Sequence, residues 1–146
     1  MQTNAQQHKA DQLIFLGILL FLIGLLVGLF VPMVANPRMA LSAHLEGVMN
    51  GMFLVILGLI WTRLKLSDRW FSISFYLVVY GTFANITAVT LAAITGFGKM
   101  MPIAGGQEGT GPVEPIISFL LVSLGLCMIA VCIIILVGFY RHMRSS

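Results

Sequence analysis

Long apolar runs broken by short polar segments make up almost the whole chain. Apolar residues dominate positions 13–34, 39–61, 71–95 and 115–140. Each run is long enough to cross the hydrocarbon core of a bilayer, which takes about 20 residues in a helix. A backbone in lipid must satisfy its own polar groups, so the pattern predicts four transmembrane helices. Pro32 and Asn36-Pro37 mark the end of the first, since proline lacks an N–H and clashes with the preceding turn. The link carrying Arg38 is short, so the first two helices are antiparallel neighbours. Trp61 suits the aromatic belt at the far end of the second. The longest break, 96–114, is rich in glycine and proline, and Pro115 is well placed in the first turn of the last helix.

Composition agrees with this pattern. The chain has 146 residues, 59% of them hydrophobic and 9% charged, with a mean hydropathy of +1.01. So little charge over so much apolar sequence excludes a soluble domain. The expected fold class is all-α integral membrane, a four-transmembrane-helix bundle forming one domain over 1–146. The net charge of +3 sits at the ends of the runs, so it reads as topology and not as a nucleic-acid surface. Lys9, Arg63, Lys65, Arg69, Arg141 and Arg144 share one side of the membrane, against Arg38 and Lys99 on the other. The positive-inside rule then puts both termini in the cytoplasm of a multi-pass protein of a cell inner membrane. The N-terminal run reads as a retained span, since its apolar stretch is longer than a signal peptide's. Cys127 and Cys132 point roughly 140° apart on a helix and cannot pair with each other. Gly24-x-x-x-Gly28 in the first run is the small-residue spacing that lets membrane helices approach closely.

The candidate chemistry sits at the start of the second run, Ala43-His44-Leu45-Glu46-Gly47-Val48-Met49-Asn50-Gly51-Met52. His44 is the only histidine within a membrane-length run, and Glu46 is the only acidic residue clearly inside one. An ionisable side chain there costs roughly 2.5–3.5 kcal/mol or more on insertion scales, so it is a functional-site hypothesis by default. On a helical wheel Gly47, Val48 and Gly51 share the face of His44, leaving room for something bulky beside it. Glu46 and Asn50 share a second face, roughly 120–160° away. Three readings follow. His44 hydrogen-bonds a neighbouring helix while Glu46 pairs with Arg38; or His44 ligates a metal or haem; or His44 and Glu46 relay protons. If a haem is bound, His8 and His142 lie too far away to be its second ligand. Unless a methionine serves as the second ligand, one iron face then stays open, and an open ferric face is a Lewis acid able to polarise a substrate oxygen.

This stretch resembles the hydroxylaminobenzene mutases, small bacterial membrane proteins, and is more distantly similar to the styrene oxide isomerases. The shared spacing is His44, Asn50, Gly51 and Met52, with Ala84-Asn85 in the third run and the glycine/proline-rich loop 96–115. The resemblance implies a homotrimer holding a ferric haem b between subunits. It implies His44 as the metal ligand, Gly47 and Gly51 beside the cofactor, and Asn50 and Asn85 lining the site of a small aromatic substrate. Asn50 would be an orienting donor and Glu46 a proton-moving group. The isomerase pattern has a tyrosine four residues after the third-run asparagine, where this chain has Val89. That difference, and Leu45-Glu46, favour the mutase reaction of nitroaromatic degradation, hydroxylaminobenzene to 2-aminophenol. The rival classes are an epoxide-to-aldehyde isomerase, a non-catalytic haem-binding membrane subunit, and a small proton-coupled carrier.

Overall fold

The computed structural model describes residues 4–144. It has four long helices: α1 (Asn4–Leu29), α2 (Pro37–Ile60), α3 (Asp68–Thr95) and α4 (Val113–Met143). Each is long and apolar enough to cross a membrane. At 1.5 Å per residue they measure roughly 36–46 Å, against a hydrocarbon core of about 30 Å.

The ends differ from the sequence reading in ways local chemistry explains. α1 begins at Asn4, so the polar stretch 4–12 is already helical. Ala, Gln and Lys favour helix outside the membrane as well as within it. Lys9 also ties that segment down, donating to Ser72 Oγ at 2.7 Å with its ammonium over the Phe75 ring. α1 stops at Leu29 and not at 34, because the Pro32 ring would clash with the carbonyl of residue 28 in a continued helix. A single 3-10 turn, Val31–Met33, follows. Asn36 then caps α2, its side chain accepting from Met39 N–H at 3.2 Å. Gly96 ends α3 at φ +76°, a left-handed cap that glycine adopts without strain.

α2 lies between α1 and α3, and α4 packs on α3. The main core joins Leu13 and Leu20 of α1 to Leu54 and Leu57 of α2, Phe71 and Val78 of α3, and Val131 of α4. Trp61 belongs to this core. It is 0% exposed and tilted against Phe71 at 5.6 Å, which corrects its placement in a lipid-facing belt. A smaller cluster of Met39, Ala40, Ala92, Ala93 and Ile117 closes the other end of the bundle. The loop 96–112 is folded over that end. It has a one-bridge pairing of Phe97 with Gln107, and Asn36 Nδ2 donates to the Ala104 and Gly105 carbonyls. The outward faces of α1 and α4 carry exposed Phe15, Ile18, Leu22, Leu126, Ile129 and Leu136. A helix apolar around its circumference needs a non-aqueous surrounding.

Candidate functional site

His44 is half-buried two turns into α2, against α1 where Gly24 and Gly28 lack side chains. Its Nδ1 lies 2.9 Å from the Gly24 carbonyl oxygen. A carbonyl only accepts, so Nδ1 carries a proton and donates, and in the neutral imidazole Nε2 then has the lone pair. The two ring nitrogens point in nearly opposite directions, so that lone pair is aimed away from the Gly24 carbonyl. Gly28 makes space for the ring: a Cβ there would sit 2.7 Å from Nδ1. Gly24-x-x-x-Gly28 is therefore both the α1–α2 packing motif and the cradle of His44. The imidazole lines a groove of about 540 Å³ whose other walls are Leu25, Leu26, Gly28, Leu29, Val31 and Leu41.

Glu46, two residues on, turns to the opposite side of α2. Asn85 Nδ2 of α3 donates to Glu46 Oε2 at 2.6 Å, and Asn50 Nδ2 donates to the same oxygen at a looser 3.4 Å. An ionised carboxylate only accepts, so each amide must turn an N–H to it and its carbonyl Oδ1 elsewhere. All three side chains are half-buried between α2 and α3. Among the described residues nothing donates to the two amide carbonyls or to Glu46 Oε1, so the cluster has acceptors to spare. Val89, one helical turn beyond Asn85, is buried and adds no hydroxyl.

The structure joins Glu46, Asn50 and Asn85 but separates them from His44, as the wheel angles predict. Three expectations change. Glu46 pairs with Asn85 and not with Arg38, which is exposed at the first turn of α2. Asn50 spends its short-range N–H on Glu46, so what it presents elsewhere includes an acceptor as well as its second N–H. The space beside Gly47 and Gly51 is filled by α1. A Cβ on Gly47 would lie 2.5 Å from Gly24 Cα, and one on Gly51 2.6 Å from Phe21 N. Within one chain these glycines serve helix packing, and no room for a cofactor remains against them.

His44 fits the haem that the resemblance implies. Among the described residues no three His, Cys, Asp or Glu side chains gather to hold a bare metal ion. A macrocycle brings four nitrogens of its own and asks the protein for an axial ligand and an apolar wall. In its neutral form His44 offers Nε2 as the ligand atom, the Gly24 carbonyl holding the proton on Nδ1, beside a groove walled by Leu and Val. A ligand histidine whose other nitrogen donates to a carbonyl is the usual arrangement at metal sites.

Sequence reasoning missed Glu114, which is only 4% exposed. Its carboxylate accepts backbone N–H groups from Gly98 (3.0 Å), Lys99 (3.1 Å) and Gly109 (3.2 Å), with Ser118 Oγ at 3.5 Å. It fastens the 96–112 loop to α4. The available signal was an acidic residue beside a glycine-rich segment that has few side-chain acceptors for its own N–H groups.

The model of the styrene oxide isomerase family matches residues 9–140. Hydroxylaminobenzene mutase HabB of Ectopseudomonas oleovorans is 53% identical over 131 residues, covering 88% of this chain and 80% of that protein. Hydroxylaminobenzene mutase HabA of the same organism is 47% identical over 127 residues, covering 86% of this chain and 94% of that protein. No solved structure matches the chain.

Proposed function

This chain belongs to the styrene oxide isomerase family and is an isomerase-class enzyme, and from that premise we propose that it converts hydroxylaminobenzene-type hydroxylaminoarenes to 2-aminophenols. The observation that carries the choice over epoxide isomerisation is the polarity of the Glu46 cluster. With both amides turned toward Glu46, Asn50, Asn85 and Glu46 leave carbonyl and carboxylate oxygens to receive a substrate. A hydroxylaminoarene offers N–H and O–H donors to them, whereas an epoxide has no donor. The high identity to two proteins named as hydroxylaminobenzene mutases supports the same substrate class.

The reaction is an isomerisation without net redox change. The N–O bond breaks, a C–O bond forms at the ortho carbon, and the proton displaced from that carbon is balanced by one delivered to nitrogen. His44 Nε2 would hold a ferric haem b, which supplies Lewis acidity toward the substrate oxygen. The Oδ1 atoms of Asn50 and Asn85 accept from the substrate's N–H and O–H and so fix its orientation. Glu46 takes the ring proton as aromaticity returns and passes a proton to nitrogen, a general-base role within hydrogen-bond reach of both amides. The apolar walls slow capture of the electron-poor ring by water.

The assembly in this reading is a homotrimer in the bacterial inner membrane, with cytoplasmic termini. Support comes from two features: His44 and Glu46 occupy opposite sides of α2, which suits a site with walls from more than one chain, and the basic residues gather at the end carrying both termini.

The test is an absorption spectrum of the detergent-purified protein before and after anaerobic phenylhydroxylamine, with product analysis. The expected result is a Soret band that shifts with substrate while 2-aminophenol accumulates, and loss of both in His44→Ala. Product formation by His44→Ala at the wild-type rate would end the haem part of the reading. Absence of product from folded, haem-loaded protein would end the mutase part.

A further inference from the structure

Two hollows flank the last turns of α4, at the end of the bundle that carries both chain termini. One, of about 240 Å³, is walled by Leu66, Trp70, Ile133, Ile134, Val137 and Arg141. The other, of about 570 Å³, is walled by Leu136, Val137, Tyr140, Arg141 and Arg144. Val137 and Arg141 line both, and being four apart they form one ridge along the helix. The 64–67 segment crosses α4 at Gly138, where Lys65 N–H donates to the Gly138 carbonyl at 3.1 Å. A Cβ on Gly138 would meet the Leu66 side chain at 2.9 Å, so the crossing depends on that glycine. This crossing brings the segment bearing Arg63, Lys65 and Arg69 alongside Arg141 and Arg144. Asp68 is the one acidic residue within 61–70, and 133–144 contains none.

We propose that this ridge binds one anionic glycerophospholipid of the adjoining leaflet, an acyl chain in each hollow and the phosphate on Arg141 and Arg144. The shape follows the chemistry of such a lipid. Branched aliphatic walls lie on the bilayer side, and guanidinium groups lie where the headgroup region begins. Trp70 and Tyr140 stand at the boundary, where amphipathic rings are favoured. Arginine matches a phosphate with paired N–H donors. A choline headgroup fits worse. Its quaternary ammonium would face Arg141 and Arg144, and the Tyr140 ring that could receive it already lies under the Arg144 guanidinium at 5.9 Å. Arg63, Arg69 and Arg144 alone outnumber Asp68 at this end, and this selects a net negative lipid. This site is remote from His44 and Glu46 and does not depend on the proposed reaction.

The experiment is native mass spectrometry of the whole detergent-purified protein with equal phosphatidylglycerol and phosphatidylcholine of matched acyl chains. Phosphatidylglycerol should be retained about tenfold over phosphatidylcholine, and Arg141→Gln with Arg144→Gln should each lower that retention about fivefold. Val137→Trp keeps every charge, sits at an exposed position and puts bulk on the ridge that both hollows share, and it should cut retention as strongly. Equal retention of the two lipids by the wild type would overturn the proposal. So would a loss in the arginine variants with none in Val137→Trp, which would mean general surface attraction without a groove. A change of oligomeric state in Val137→Trp, with lipid retention intact, would make the ridge a subunit contact and overturn it as well.

Discussion

His44 and Glu46 are two residues apart on one helix, yet they stand in interfaces of opposite kinds. The α1–α2 seam is built from missing side chains. Gly17 faces Gly51 and Gly24 faces Gly47, so backbone lies on backbone there, and Gly28 takes the His44 ring. The α2–α3 seam at the same depth is built from polar side chains, with Glu46 accepting from Asn85 and Asn50. The first seam has no tolerance for an added carbon, and this rigidity sets where the imidazole stands and which nitrogen is protonated. The second has spare hydrogen-bonding capacity, which the proposed mutase reaction uses to bind substrate and move protons. Steric changes should therefore destroy the first seam, while nearly isosteric changes should silence the second without unfolding it.

Gly47→Val is the largest expected effect. Its Cβ would fall 2.5 Å from Gly24 Cα and 2.7 Å from Ile86 Cδ1, so α1 and α2 must separate along their length. The cost should reach about 3 kcal/mol or more, seen as a thermal midpoint lower by on the order of 10 °C and a poor yield of monodisperse protein. A variant that melts with the wild type would mean the seam is softer than its geometry implies. Glu46→Gln is the counterpart on the other seam. Its carbonyl oxygen still accepts from Asn85, so melting should change little, while kcat falls by about 10²–10⁴ through loss of the proton acceptor. A fall confined to KM would assign Glu46 to substrate binding instead.

The two seams also differ in how far they could be read from residues alone. Four spans follow from apolar runs and the need to satisfy backbone polar groups in lipid, and the structure has them. The divergence of His44 from Glu46 follows from a helical angle. The identity of each neighbour did not follow, because periodicity says which face a residue occupies and not which helix fills it. So Gly47 and Gly51 read as room for a ligand when α1 occupies that room, and one of the three readings paired Glu46 with Arg38 when Asn85, 39 positions away, takes that place. Trp61 shows the same limit: its distance along the helix was legible, its inward direction was not. Glu114 stayed hidden because its partners are backbone N–H groups of a loop, whose folding leaves little trace in residue types.

The smallest effects come from dividing the polar seam between its two amides, and they sharpen the comparison most. Asn85 reaches Glu46 Oε2 at 2.6 Å from another helix, whereas Asn50 reaches it at 3.4 Å from one turn along the same helix. The first bond is short and charge-assisted, and the second is at the edge of a hydrogen bond. Asn85→Ala should therefore destabilise the fold by about 1–3 kcal/mol, since it removes a bond to a charged group and leaves the carboxylate half-buried. Asn50→Ala should cost only about 0.5 kcal/mol or less, a loss typical of positions without a strong partner. Activity should not follow the same ranking, because both Oδ1 atoms face the substrate in the mutase reading. Each variant should raise KM for phenylhydroxylamine by on the order of tenfold, one substrate hydrogen bond apiece. The informative pattern is a stability difference between the two variants together with similar kinetic losses. If Asn50→Ala leaves KM unchanged, the α2–α3 seam is a structural clasp around Glu46, and the division between a scaffold seam and a chemical seam fails at that residue.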